Sequence, residues 1–101
     1  MIVLKTPIHA GEMLAEILDD MDISAGKLAK SIGVPRTRIE RIVKEEVGVS
    51  PDTATRLGKF FKQTPQYWLN LQQAYELAML NQDEVHQKEL EEIKPIQTEA
   101  A

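Results

Sequence analysis

Ser24–Lys44 reads SAGKLAKSIGVPRTRIERIVK, and this stretch decides the fold. Ser24 is a good N-cap, because its hydroxyl can accept a hydrogen bond from an otherwise orphaned amide of the first helical turn. Leu28, Ala29 and Ile32 follow at helical spacing and supply one inward face. Gly33 stands where a chain leaves a helix through the left-handed conformation, which glycine adopts without a Cβ penalty. Pro35 suits the first turn of a second helix, where its missing N–H is no loss. That second helix runs to about Lys44, with Ile39, Ile42 and Val43 facing inward. Two short helices joined by about three residues with a glycine in the turn are the signature of a helix-turn-helix.

The outer face of the second helix carries the chemistry. At about 100° per residue, Thr37, Arg41 and Lys44 fall opposite the apolar side, with Arg36 and Arg38 flanking them near the helix start. A helix of this kind suits the major groove of DNA, where residues in its first turns reach base edges. Arg36 and Arg41 are candidates for base reading, since a guanidinium matches guanine O6 and N7, and Thr37 can bond a base or touch a thymine methyl. Lys27, Lys30, Arg38 and Lys44 are candidates for phosphate, and Ser24 with the amides opening its helix is a further phosphate anchor.

The net charge of −4 argues at first against a polyanionic partner. Its distribution reverses that. Residues 24–44 hold six basic side chains against the single acid Glu40, a local net charge of +5, while residues 1–23 carry one lysine against five acids. Residues 83–101 carry two lysines against six acids. A patch of one sign steers association even on a molecule of the other sign.

Apolar positions recur at helical spacing through most of the remaining chain, and the expected fold is all-α. Helix 1 is predicted from about Gly11 to Met21, with His9 and Glu12 near its start and Asp19, Asp20 and Asp22 at its far end, where the helix dipole disfavours acids. Ser50-Pro51 and Thr64-Pro65 repeat the cap-plus-proline signal and open helices 4 and 5. Helix 4 turns Ala54, Leu57, Gly58 and Phe61 inward. Helix 5 reaches about Leu80, with Trp68, Leu71, Tyr75 and Ala78 on one stripe. The expected organisation is a DNA-binding domain over 1–80 and an acidic tail over 81–101, frayed helix at 83–93 and disordered beyond Lys94.

Several chemistries are excluded or unsupported. The chain of 101 residues has no cysteine, so disulfides, thiolate metal sites and a cysteine nucleophile are out. His9 and His86 are the only histidines, and neither has the partners a zinc site needs. The three aspartates ending helix 1 lack the glycine-bearing loop of a calcium site or a partner base for catalysis. No metal, cofactor or enzymatic activity is expected. No apolar run approaches the roughly 20 residues of a membrane span, which makes the cytoplasm the default compartment.

SAGKLAKSIGVPRTRIERIVKEEVGVSPDTATRLGKFFKQTPQYWLNLQQAYEL, with the leading IHAGEML, resembles the Xre-type helix-turn-helix domain of the HigA/VapI antitoxins. The resemblance covers about residues 7–80, and the ending from Trp68 to Tyr75 separates this family from other Xre-type regulators. It implies a compact five-helix, lambda-repressor-like domain, a homodimer on a palindromic operator in its own promoter, and neutralisation of a small ribonuclease toxin in a type II toxin–antitoxin pair. Two departures are visible. His9-Ala10-Gly11-Glu12 replaces the usual His-Pro-Gly-Glu, and Ala25 stands where many Xre-type domains carry a glutamine that bonds phosphate or base.

Two further surfaces follow from the resemblance. Helix 5 is apolar on more than one face, so Leu69, Leu77, Met79 and Leu80 are candidates for the dimer contact. A ribonuclease that approaches RNA is basic, and two acidic segments qualify as the surface for it: the end of helix 1 (Asp19, Asp20, Asp22), favoured together with Ile2–Leu4, and the tail from Asp83 to Glu99. These acids lie outside 24–44 in sequence, which would let one molecule hold DNA and toxin together. A toxin-free or phage-derived Xre-type regulator and a protein-interaction module remain alternatives.

Overall fold

The computed structural model describes residues 7–97. They form α1 (Ala10–Met21), α2 (Ala25–Ile32), α3 (Arg36–Val43), α4 (Pro51–Phe61), α5 (Pro65–Gln82) and α6 (Glu84–Glu91), and no strand occurs among them. The all-α expectation is met, with six helices among the described residues; the sixth falls within 83–93, where a frayed helix was expected. The start of the acidic tail is an ordered helix, because Asp83 caps it by accepting a hydrogen bond from the His86 amide at 3.1 Å. Gln87 then ties α6 back to the end of α5 through a bond to the Leu80 carbonyl. The Ile2–Leu4 segment lies outside the described residues.

Local chemistry sets most helix ends as expected. Ser24 and Ser50 each accept a bond from the amide three residues on, at 3.1 and 3.2 Å. His9 caps α1 through Nδ1, which accepts from the Gly11 amide at 2.8 Å. The helix therefore starts at Ala10, one residue earlier than expected. Thr64 occupies the cap position of α5 but makes no side-chain cap bond, so Pro65 alone marks that start. Pro35 is the residue before α3 rather than its first residue.

The core draws on five helices and the loop before α4. Leu14 and Leu18 of α1 meet Leu28 and Ile32 of α2, Ile39 and Ile42 of α3, Val49 of the loop, Leu57 of α4 and Trp68 of α5, all buried. Trp68 is wholly enclosed, and its indole N–H is satisfied by the Gln63 side chain at 2.8 Å. Phe61 and Leu71, expected inward, are only half-buried against this core. Gln72 is buried although the apolar pattern did not single it out; its Oε1 accepts from the Val49 amide at 3.4 Å and pins the loop to α5.

Candidate nucleic-acid interface

α2 and α3 are packed on each other through Leu28, Ile32, Ile39 and Ile42, so the turn between them is rigid and the opposite side of α3 is left outward. Gly33 has φ +73°, and its amide and that of Val34 bond back to carbonyls of α2. This is the glycine-terminated helix end the sequence called for.

On the outward side, Arg36, Thr37, Arg41 and Lys44 are exposed, and so are Lys27, Lys30 and Ser24 on α2. The structure therefore gathers the residues assigned to bases and phosphates onto the surface of two adjoining helices. Two of the arginines carry acidic neighbours. Arg36 Nε donates to Glu40 at 2.8 Å, and Arg41 lies 3.6 Å from Glu46. Both guanidinium side chains are more than half exposed, at 72% and 60%. Pairs this exposed are weak and exchangeable, so they preset the arginines without locking them.

Arg38 is placed differently. Its Nη1 donates to Asp52 at 2.7 Å, and Asp52 also accepts from Arg56 on its own helix. The hydrogen bond from Arg38, and after it that from Arg56, hold the Asp52 carboxyl below the ordinary aspartate range. Neither Asp52 nor Arg56 was singled out from the sequence, where an acid in the first turn of α4 reads simply as favourable to the helix dipole.

The remaining candidate surfaces are also placed. Leu77, Met79 and Leu80 are exposed, at 61%, 44% and 42%, whereas Leu69 is half-buried and packs against the core. Asp19, Asp20 and Asp22 are exposed at the end of α1, and Asp22 takes a left-handed conformation as the helix closes. One separation drawn from the sequence does not hold in space. Asp19 and Asp22 line the same groove as Ser24 and Lys27, because the short link between α1 and α2 folds the acidic end onto the start of the basic segment. Among the described residues no group of three or more His, Asp or Glu could hold a metal, and no helix is long and apolar enough to cross a membrane.

This fold and this surface define a helix-turn-helix protein with a basic recognition helix. The chain matches no protein-family model. It is similar to virulence-associated protein I of Dichelobacter nodosus, with 44% identity over 94 residues covering 92% of this chain and 84% of the relative. Among solved structures it resembles an addiction-module antidote protein of the HigA family from Coxiella burnetii, with TM-score 0.83 and 42% identity over 91% of this chain and 100% of that one. It likewise resembles the Pseudomonas aeruginosa antitoxin HigA solved with the higBA promoter, with TM-score 0.81 and 40% identity over 90% and 99% of the two chains. The chain belongs to the HigA/VapI family of antitoxins.

Proposed function

We propose that this protein is the DNA-binding antitoxin of a type II toxin–antitoxin pair, repressing its own operon from a double-stranded operator and neutralising a small, basic ribonuclease toxin. The observation that carries the DNA half is the shared exposed face of Arg36, Thr37, Arg41 and Lys44 on a helix held rigid by the buried α2–α3 contact. The likeness to a HigA solved with promoter DNA supports it. In this reading Arg36, Thr37 and Arg41 read bases, while Lys27, Lys30 and Lys44 neutralise phosphate and Ser24 hydrogen-bonds it. The protein works in the cytoplasm, without cofactor or catalysis.

One such domain covers only a few base pairs, so useful specificity requires two recognition helices about 34 Å apart on a symmetric site. The protein accordingly acts as a homodimer. Leu77, Met79 and Leu80 form the contact, with Leu69 supporting it from beneath. Residues 1–80 are the DNA-binding domain, and 81–101 form an acidic extension that takes in the last two residues of α5 and all of α6. Toxin is held at Asp19, Asp20 and Asp22.

The test is a gel-shift titration of the full chain against duplex from upstream of its own gene and against a scrambled duplex, over a range of salt. Preference for the upstream duplex, with affinity falling linearly in logarithmic salt, is the expected result. Equal binding to both duplexes would refute the repressor reading.

A further inference from the structure

Arg38 has the residue type of a phosphate contact, yet its guanidinium is turned onto α4. Its side chain is 39% exposed, against 72% for Arg36 and 60% for Arg41. The carboxylate it meets, Asp52, takes Arg38 at 2.7 Å and Arg56 Nε at 3.1 and 3.2 Å. Arg56 then reaches past Asp52 with Nη1, which donates to the Ile32 carbonyl at 2.8 Å and the Gly33 carbonyl at 3.4 Å. Those carbonyls close α2, where a helix leaves its acceptors without partners and its dipole favours a cation. One carboxylate and two guanidinium groups thus join the last turn of α2, the first turn of α3 and the first turn of α4.

Exposed ion pairs add little to stability, so folding energy alone does not account for a network that spans three elements. What it fixes is orientation: the roll of α3 about its axis and the angle of the turn before it. We propose that Asp52 is a positioning residue for operator recognition. It clamps Arg38 and Arg56 so that α3 presents Arg36, Thr37 and Arg41 at one angle to the duplex, and Arg38 acts through this clamp instead of touching phosphate. The proposal rests on the DNA-binding reading above.

Simple electrostatics and positioning give opposite signs here. Removing a carboxylate beside a DNA-binding surface strengthens binding to every sequence by reducing repulsion. Removing a clamp weakens binding to the operator alone. The experiment compares Asp52→Asn, Asp52→Glu and Arg38→Gln in the full chain, on the upstream and scrambled duplexes, over a salt series. For Asp52→Asn the ratio of upstream to scrambled affinity is expected to fall on the order of tenfold, within the range that coupling through one residue reaches. Its affinity for scrambled DNA holds or rises. Asp52→Glu keeps the carboxylate and restores most of the preference. Arg38→Gln lowers the ratio and leaves the salt slope unchanged, because no phosphate contact is lost.

If Asp52→Asn tightens both duplexes equally, or Arg38→Gln reduces the slope by about one phosphate contact with the ratio intact, the clamp is wrong. All three variants should keep the wild-type helical signal, and loss of helix in Asp52→Asn would assign that residue to folding and overturn the proposal. A wild-type chain with no preference for its upstream duplex is a separate result, which removes the DNA-binding reading and this inference with it.

Discussion

Gly11, the second residue of α1, packs directly on the backbone carbonyl of Ile42 in α3, and a Cβ at that position would overlap the oxygen. The contact is backbone to backbone, so no rotamer change can relieve it. It brings the start of α1 onto the end of the recognition helix, beside the buried Leu14 and Ile39. Gly11→Ala is therefore expected to destabilise the protein by at least the upper end of the roughly 1–3 kcal/mol typical of overpacking. Urea unfolding followed by Trp68 fluorescence measures this, and an unchanged midpoint would mean the two helices are not this close.

The contrast between Gly33 and the other helix ends shows where sequence reading stops. Gly33, φ +73°, announces itself, since glycine at the end of an apolar repeat has one common use. Asp22, Glu45 and Lys62 adopt the same left-handed conformation at φ 56°, 63° and 60°; aspartate visits that region more readily than most residues, but nothing in the residue type marks Glu45 or Lys62. The interface divides in the same way. The exposed placement of Thr37 and Arg41 was legible because helical periodicity sets them opposite Ile39 and Ile42, with Arg36 on the flank. The Arg38–Asp52 bond joins residues 14 apart across a loop, and periodicity within one helix carries no information about it. A helix was expected at 83–93, but the cap that Asp83 supplies was not read, although an aspartate before Glu84 is a usual N-cap.

Acid should expose the Asp52 network. Arg38 and then Arg56 lower the folded-state pKa of Asp52, so its contribution to stability is present above the ordinary aspartate value of about 3.9 and is lost as pH falls through the lower folded value. Melting temperatures of wild type and Asp52→Asn should therefore differ most at neutral pH and converge as the pH drops below about 4. A difference that stayed constant across this range would show that the carboxylate is not the group responsible.

Arg41 and Lys30 separate base reading from phosphate neutralisation. Arg41 is exposed on α3 and held only loosely by Glu46, at 3.6 Å. Losing a bidentate guanine contact in Arg41→Ala should weaken operator binding by about 1–3 kcal/mol and relax preference at one base pair. Lys30→Gln should weaken all duplexes alike and flatten the salt slope by about one contact. Competition assays on single-base operator variants check the first outcome. Equal losses on operator and random DNA for Arg41→Ala would make it a phosphate residue.

The exposed apolar side chains late in α5 should control assembly. Leu77, Met79 and Leu80 lie beyond the last buried residue of that helix, Gln72, so charging them leaves the core untouched. In a two-fold dimer the same patch meets itself, and each substitution is felt twice. Leu77→Glu with Leu80→Glu is expected to give a folded monomer with sharply reduced operator affinity. Sedimentation velocity decides the matter, and an unchanged dimer would move the interface elsewhere.

A ribonuclease that approaches RNA needs a basic face, and a partner that covers that face must be acidic. Asp19, Asp20 and Asp22 stand exposed at the end of an ordered helix, and holding a rigid acidic face in place loses less entropy than ordering a tail does. The groove that Asp19 and Asp22 share with Ser24 and Lys27 adds a consequence. A basic toxin seated there would lie against the phosphate anchors at the start of α2, so toxin and DNA should antagonise each other at this edge. Asp19→Lys with Asp20→Lys is expected to impair neutralisation in a co-expression growth assay. It should not weaken DNA binding in the absence of toxin, because the added charge favours the polyanion. Removing residues 94–101 should leave neutralisation intact. Rescue that survives the charge reversal but fails after the truncation would place the toxin on the C-terminal extension instead.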